Sequence, residues 1–317
     1  MEDYPRNQSE FESRFATEQA CRQYLFRLRW PDGFVCPVCS APGGWLTKRN
    51  LVMCRSCGYQ GSLTAGTVFE RSRKPLQAWF RAAWAVTTDK TGTSALAIQR
   101  ILGLGSYETA WTWMHKLRRA MVRPDQDRLS GRIEVDETYF GGRSEGHEGR
   151  RRGNKTLIVI AAQEDGRKIG RIRMRRVPDA SAKSLTAFIQ RSVEPGAVVH
   201  TDGWFGYVGL KDLGYVHEST PQERLDVPGA EDDLLPRVHR VASLLKRWVM
   251  GTHQGAVSHE HLDYYLDEFT FRFNRRMSAS RGKLFYRLLQ NAVRMPPAPY
   301  RSMVQERTRP KKQKHNI

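Results

Sequence analysis

Two aspartates lie at or near the ends of segments whose patterns predict strands. Asp136 lies in "RIEVDETYFGG", where apolar and acidic residues alternate, and Asp202 follows the apolar run in "AVVHTDGWFGY". Alternation places the carboxylates of the first segment on one face of its strand. Either aspartate alone could be a solubilising or capping acid. Together, on neighbouring strands, they suit hard divalent cations, and two such ions catalyse phosphoryl transfer.

A histidine and a lysine seven residues apart share one side of a predicted helix, "VHRVASLLKRW" at 238–248. Its apolar residues recur at the spacing of a core face. Seven residues at 100° each place His239 and Lys246 within about 20° of one another, roughly 10 Å apart along the axis. The two residues are either members of one active-site face or a solvated fringe of the helix. The alternative for His239 is a solvated imidazole on a basic helix, and Arg240 and Arg247 lie further round as solvated groups.

Four of the five cysteines form two pairs, Cys36-x2-Cys39 and Cys54-x2-Cys57, with fourteen residues between the pairs. Each CxxC turn presents two thiolates, and two turns complete a tetrahedral shell. The pattern therefore predicts one structural Zn²⁺ per chain in a zinc ribbon. Cys21 lies outside the pattern and is predicted to be a plain buried thiol.

A helical segment at 71–124 follows the predicted ribbon domain of residues 1–70. Thr93 or Ser94 can cap a helix, "GLGS" breaks it, and Ser106 can cap the next helix. Two helices joined by a short glycine turn are typical of the helix-turn-helix frame. The alternative is an ordinary three-helix bundle. The predicted DNA contacts on the last helix are Lys116, Arg118 and Arg119.

The remaining elements predict a ribonuclease-H-like core at 125–295. Three strands in a meander, a helix capped by Ser181, a fourth strand ending at Asp202 and later helices follow one another. We interpret about 205–235 as an insertion and 296–317 as a disordered basic tail. The predicted phosphate contacts at the end of the last helix of the core are Arg272, Arg275 and Arg276. The fold class is multidomain α+β: zinc ribbon, helix-turn-helix-type segment and ribonuclease-H-like α/β core.

The charge of the chain identifies the class of partner. Its 317 residues carry a formal net charge of +19, and a globular chain this basic usually binds a polyanion, nucleic acid by default. No apolar run reaches the length of a membrane span, and the polar N-terminus is unlike a secretory signal. We therefore expect a cytoplasmic, nucleoid-associated protein in a bacterium.

Several stretches together resemble a known family, the zinc-ribbon insertion-sequence transposases of the DDE type with an ISXO2-like catalytic domain. These stretches are "CPVC" with "CRSC", "GTVFERSRKPLQAWF", "VDETYFGG", "HTDGWFGY" and "SLLKRWVMGTHQGAVSHEHLDYYLDEFTFRFNRR". The resemblance covers roughly residues 15–293. It implies a ribonuclease-H-like core that cuts and joins DNA strands with two Mg²⁺ or Mn²⁺ ions.

The resemblance also assigns roles to residues. Asp136 matches the first acidic residue and Asp202 the second. The third lies seven positions before the motif lysine, Lys246, and is His239 here. The resemblance implies that members of this branch can carry His or Asn at that place, so the departure does not imply inactivity. Imidazole ligates Mn²⁺ or Mg²⁺ without adding negative charge. The acidic residues Glu231–Asp233 are the alternative third ligand, although they lack the helical register with Lys246.

The leading hypothesis is a transposase that binds the terminal inverted repeats of its element, and target DNA, as at least a homodimer. The first alternative is a transposase-derived DNA-binding protein that has lost catalysis through His239. The second is a general zinc-ribbon nucleic-acid factor with a structural C-terminal domain. Asp136 and Asp202, together with Lys246 in register, favour the enzyme.

Overall fold

A computed structural model describes residues 2–49, 51–122, 127–141, 155–220, 234–255 and 257–304. The chain forms two compact units, Met1–Arg123 with Ser278–Ile317, and Pro124–Met277. Within the described ranges, every helix is too short or too polar to cross a membrane.

The elements follow one another in two groups. The helices and strands of the first unit are α1 (Gln8–Arg14), α2 (Glu18–Arg29), β1 (Gly44–Leu46), β2 (Leu51–Cys54), β3 (Gln60–Ser62), α3 (Leu76–Thr88), α4 (Ala95–Leu102), α5 (Tyr107–Arg119), α9 (Arg281–Ala292) and α10 (Tyr300–Val304). Those of the second unit are β4 (Arg132–Phe140), β5 (Thr156–Asp165), β6 (Lys168–Val177), α6 (Ala182–Ser192), β7 (Val198–Thr201), β8 (Val216–Ser219), α7 (Pro236–His253) and α8 (Leu262–Phe273), with 3₁₀ turns at Phe205–Leu210 and His259–His261.

The helix boundaries of the first unit follow from local capping residues. The Ser94 hydroxyl accepts a hydrogen bond from the Ala97 amide at 3.2 Å and starts α4. Gly103 ends that helix with a φ of 59°, a left-handed conformation that glycine adopts without strain. The Ser106 hydroxyl accepts from the Glu108 amide at 3.2 Å and starts α5. The predicted starts and the glycine break are therefore confirmed, with Ser94 and not Thr93 as the cap.

Helix α9 belongs to the first unit. Its Phe285 is fully buried, and the ring packs edge-on against Phe80, Trp84 and Phe11 at centroid distances of 5.7, 5.5 and 5.5 Å. The sequence-based division differs, because it extended the catalytic core to residue 295. The apolar stripe of α9 shows that it needs a partner, but the stripe does not identify α3 and the N-terminal aromatic residues as that partner.

The second unit is built on a five-stranded sheet in the order β6-β5-β4-β7-β8. The first three strands pair antiparallel, and β7 pairs parallel with both β4 and β8. Strand β5 is apolar on both faces: Val159 packs on the side of α6, and Ile160 packs on the side of α7 and α8. Helices therefore cover both faces of the sheet, as the continuous apolar run of β5 requires.

Part of the predicted insertion at about 205–235 is regular structure. Residues 205–210 form a 3₁₀ turn, and β8 adds a fifth strand beside β7. The sequence did not reveal β8 because Val216 is exposed and the four-residue strand carries little apolar pattern. The rest of the predicted insertion, at 221–233, lies outside the described residues, as does most of the predicted tail.

Candidate active site and metal centre

One face of β4 contacts helix α7 at three successive positions. Glu134, Asp136 and Thr138 alternate along the strand, so their side chains lie on one face. Asp136 Oδ2 lies 3.3 Å from His239 Nε2. Lys246 Nζ donates to Thr138 Oγ1 at 3.1 Å. The structure thus brings three of the four predicted catalytic residues, Asp136, His239 and Lys246, to one place.

Glu134 holds the beginning of α7. Its Oε2 accepts from the backbone amides of Arg237 at 2.7 Å and Val238 at 3.0 Å, and its Oε1 accepts from Arg237 Nη1 at 2.7 Å. The helix has no cap from its own N-terminal side chain, so Glu134 takes over this function. Its carboxylate is 1% exposed. Because His239 follows Val238 directly, Glu134 sets the position of His239 opposite Asp136.

An open cavity lies beside the Asp136–His239 contact. The side chains of Asp136 and His239 are 19% and 52% exposed, and Lys246 is also exposed. The polar side chains at this contact are therefore accessible from solvent. The cavity is lined by Asp136, Glu137, Thr138, Ile160, Val238, His239, Ala242, Ser243 and Lys246.

Asp202 lies at the end of the neighbouring strand. The parallel pairing ends at Glu134 and His200; Asp136 lies two residues later within β4, and Asp202 directly follows the last residue of β7. Neighbouring strands lie about 4.8 Å apart, and paired residues of a parallel ladder share a face. Asp202 Oδ1 accepts from the Trp204 amide at 3.0 Å. Asp202 does not line the described cavity, and it does not form one compact ligand group with Asp136 and His239 in the described structure.

The residues that sequence reasoning missed are carboxylates on β4. Glu134 was recognised only as part of the acidic face, and Glu137 was not singled out. Glu137 Oε2 accepts from the Tyr207 hydroxyl at 2.7 Å. Burial raises the pKa of Glu137, the Tyr207 hydrogen bond opposes this, and the charges of Asp136 and Asp202 raise the pKa further. The sequence did contain a hint of this contact, because Glu137 lies in "VDETYFGG" and Tyr207 lies in "HTDGWFGY", the two motifs that carry the aspartates.

The four predicted cysteines form one cluster. Their sulfur atoms lie within 4.8 Å of one another, with Cys36 Sγ 3.6 Å from Cys57 Sγ and Cys39 Sγ 3.7 Å from Cys54 Sγ. A disulfide needs about 2.05 Å, whereas a tetrahedral shell with zinc–sulfur bonds of about 2.3 Å separates its sulfurs by about 3.8 Å. The cluster therefore fits a zinc ion. The hairpin strands β1, β2 and β3 carry and flank it as a ribbon.

Cys21 stands apart from this cluster. It is free and fully buried, and burial raises the pKa of its thiol to about 12. The prediction of a plain buried thiol is confirmed.

Replacement of one cluster cysteine is expected to remove the metal and unfold the ribbon. Cys54→Ser leaves three thiolates, and structural zinc sites of this kind supply the folding free energy of small ribbons. We expect the variant to lose its one zinc per chain by elemental analysis, and the amides of β1–β3 to lose hydrogen-exchange protection. Cys21→Ala is the control and should keep its zinc. Full zinc content and unchanged protection in Cys54→Ser would contradict the assignment.

The basic residues predicted on α5 are mostly committed to packing. Arg118 is 1% exposed, so its side chain is packed inside the first unit, and its role as a DNA contact stays a prediction. Lys116 lies 5.9 Å from the Trp79 ring centroid, and burial lowers its pKa. Arg119 is partly exposed, and the exposed part of α5 is its beginning, at Tyr107 and Glu108.

The arginines at the end of α8 also have structural partners. Arg272 Nε donates to the fully buried Glu268 at 2.9 Å. Arg276 donates to the carbonyls of Ile169 and Gly170 and lies over the Phe273 ring. Arg275 Nη1 donates to the Phe271 carbonyl at 3.2 Å. Arg272 bonds to a residue of its own helix, and Arg276 connects the end of α8 to β6. Their phosphate contacts stay a prediction, because the observed partners of both guanidinium groups are structural.

Comparison with known proteins adds three findings. Residues 128–274 match the family model of the ISXO2-like transposase domain, and residues 16–60 match that of the transposase zinc-ribbon domain. A protein of Halobacterium salinarum, described as an uncharacterized protein in transposable element ISH50, is 27% identical over 280 residues. That alignment covers 81% of this chain and 91% of the relative.

Proposed function

This chain belongs to the transposases that join a zinc ribbon to an ISXO2-like transposase domain, and from that premise we propose its reaction. It binds the terminal inverted repeats of its own insertion sequence, cleaves DNA strands there, and transfers them to target DNA. The contact between Asp136 and His239, beside Lys246 and one strand from Asp202, carries this proposal.

The sheet order supports a ribonuclease-H-like catalytic core. Three antiparallel strands followed by two parallel ones place the end of β7 beside the middle of β4, where Asp136 lies. In this proposal Asp136, Asp202 and His239 hold Mg²⁺ or Mn²⁺. When bound, two such ions supply an activated hydroxyl nucleophile and stabilise the leaving oxygen. Two carboxylates suit hard cations, and the imidazole adds a softer, uncharged nitrogen.

The exposed side of α7 supports phosphate binding. Lys246 is exposed, and its ammonium donates to Thr138 on the face of β4 that carries Asp136, where it would attract a DNA phosphate as a point charge. Arg240 and Arg247 are exposed on the same helix. The net charge of +19 adds sequence-independent attraction to DNA.

Helices α4 and α5 are the proposed helix-turn-helix segment. Recognition helices of this class contact base edges with their N-terminal residues. The exposed beginning of α5, at Ser106–Glu108, fits that role better than its largely buried basic end. Binding of two element ends requires at least a homodimer in this proposal, acting in the cytoplasm at the nucleoid.

The test is a strand cleavage and transfer assay on duplexes that carry the element's own ends. We expect end-specific products in Mg²⁺ or Mn²⁺, none in EDTA, and none on duplexes with scrambled ends. The second candidate, a DNA-binding protein without catalysis, is favoured by the histidine at position 239. Tight binding to the ends without cleavage in either metal would support that candidate and contradict the first.

His239 is expected to contribute through the metal site. His239→Ala should lower cleavage by about 100-fold and leave end binding nearly unchanged, because it removes a ligand and no phosphate contact. His239→Glu supplies a carboxylate and should remain active, with its preference shifted towards Mg²⁺. Cleavage rates of both variants in each metal measure this effect.

The control for these variants is Met250→Ala, which trims an exposed side chain of the same helix. Full activity of His239→Ala would make the histidine a bystander. The third role would then pass to Glu231–Asp233, which lie outside the described residues.

A further inference from the structure

We propose that Glu137 and Tyr207 form a clamp that holds Asp202 at its working distance from Asp136. The proposal deepens the strand-cleavage function and rests on it. Glu137 directly follows Asp136 on β4, and Tyr207 comes five residues after Asp202. The hydrogen bond of 2.7 Å from the Tyr207 hydroxyl to Glu137 Oε2 joins the two acidic segments.

The clamp lies beyond the backbone pairing of the two strands. The register between β4 and β7 ends at the pair Glu134 and His200, two residues before both aspartates. In the described structure, the backbone ladder therefore does not itself pair Asp136 with Asp202. The hydrogen bond between the side chains of Glu137 and Tyr207 connects β4 to the segment after β7, beyond the last backbone pair.

The segment that carries Asp202 has further anchors on the side of α6. Trp204 Nε1 donates to the Ala180 carbonyl at 2.9 Å, and Asp202 itself accepts from the Trp204 amide at 3.0 Å. A Cβ on Gly206 would meet the Ala180 carbonyl oxygen and Leu185 Cδ1 at 2.8 Å each. These contacts leave the segment little freedom towards α6. The hydrogen bond from Tyr207 to Glu137 holds the same segment against β4.

Burial makes this hydrogen bond effective. The Tyr207 side chain is fully buried in the cluster that includes Ile133 and Val135. A hydrogen bond is electrostatically stronger away from water, and the partly buried Glu137 carboxylate loses a stabilising donor when the Tyr207 hydroxyl is removed. The ring packing fixes the hydroxyl, which in turn fixes Glu137.

The competing role for Glu137 is that of a direct metal ligand. Glu137 lines the same cavity as Asp136, but strand alternation directs its side chain towards the other face of β4, where Oε2 accepts from Tyr207. Both observations favour a positioning residue. The two roles predict different results for Glu137→Gln, because glutamine keeps a hydrogen-bond acceptor and loses the charge.

The experiment compares Tyr207→Phe, Glu137→Gln, Glu137→Ala and the double variant Tyr207→Phe/Glu137→Ala in the full-length protein. Cleavage rates are recorded against Mn²⁺ concentration, and Mn²⁺ binding is measured separately by calorimetry without DNA. We expect Tyr207→Phe and Glu137→Ala each to lower cleavage at least tenfold and to raise the half-saturating Mn²⁺ concentration severalfold. Glu137→Gln should stay within about threefold of wild type, and the double variant should resemble the single ones.

Tyr215→Phe is the matched control, since it also removes a buried hydroxyl, one that donates to the Val193 carbonyl. It should lower thermal stability comparably and leave Mn²⁺ binding unchanged. A large loss of Mn²⁺ binding in Glu137→Gln with none in Tyr207→Phe would make Glu137 a ligand and overturn the clamp. Unchanged Mn²⁺ binding in Tyr207→Phe and Glu137→Ala would also overturn it. Wild-type protein that binds Mn²⁺ without cleaving DNA would contradict the proposed function alone, because binding reports on the clamp.

Discussion

Asp136→Asn is expected to lower the strand-cleavage rate by about 1000-fold, while binding to the element ends changes little. The loss corresponds to roughly 4 kcal/mol of activation free energy. Asp136 is the partly buried carboxylate that contacts His239. It lies on β4, which pairs with β7, and Asp202 directly follows β7. Asparagine keeps the shape and removes the anionic oxygen that hard cations require. Single-turnover cleavage of end duplexes in Mg²⁺ and in Mn²⁺ measures the effect, with gel-shift binding alongside.

The control for this variant is Asp212→Asn, which makes the same charge change at an exposed position of the second unit. It should cleave at the wild-type rate. If Asp136→Asn retains cleavage within tenfold of wild type, Asp136 does not hold the metal, and the proposed site is wrong. If it loses end binding as well, the carboxylate acts through the fold and not through the reaction.

Glu134→Ala is expected to lower the free energy of unfolding of the second unit by about 3–5 kcal/mol. The change removes the acceptor of two backbone amides at the start of α7 and the partner of the Arg237 guanidinium. Arg237 retains Glu164 at 3.6 Å as a weaker partner. The helix that carries His239 and Lys246 should therefore fray from its first turn.

Two measurements follow the effect of Glu134→Ala. Denaturant unfolding gives the stability loss, and hydrogen exchange should show the loss of protection concentrated in the α7 amides. The control is Glu218→Ala, which breaks a partly exposed ion pair with Arg132 and should cost less than about 1 kcal/mol. Equal losses in the two variants would show that Glu134 is an ordinary ion-pair partner and not the cap of α7.

Local sequence spacing was sufficient for several features. The two CxxC turns of the zinc ribbon depend on residues three apart, and each turn can be recognised without knowledge of the rest of the fold. The caps at Ser94 and Ser106 bond to amides two or three residues away. The pairing of His239 with Lys246 on one helix face follows from helical geometry alone. Each of these interactions lies within one element or one turn.

Only the tertiary structure shows which residues that are far apart in the sequence contact one another. Glu134 and Asp136 look equivalent in the alternating pattern of β4, yet one caps α7 and the other contacts His239. The charge of Arg118 is visible in the sequence, whereas its burial is visible only in the folded structure.

Helix α9 and strand β8 show the same limit at the level of whole elements. The apolar stripe of α9 predicts burial, but it does not identify Phe80 and Trp84, some two hundred residues earlier in the chain, as the surface that covers it. Strand β8 is defined by its parallel backbone pairing with β7 and not by an apolar pattern of its own. The sequence by itself determined the cysteine cluster of the ribbon and the helix starts, because their geometry is local; of the two aspartates expected at strand ends, Asp202 follows β7, whereas Asp136 lies in the middle of β4. Which charges remain available to a substrate depends on packing between distant segments, and only the folded structure decided it.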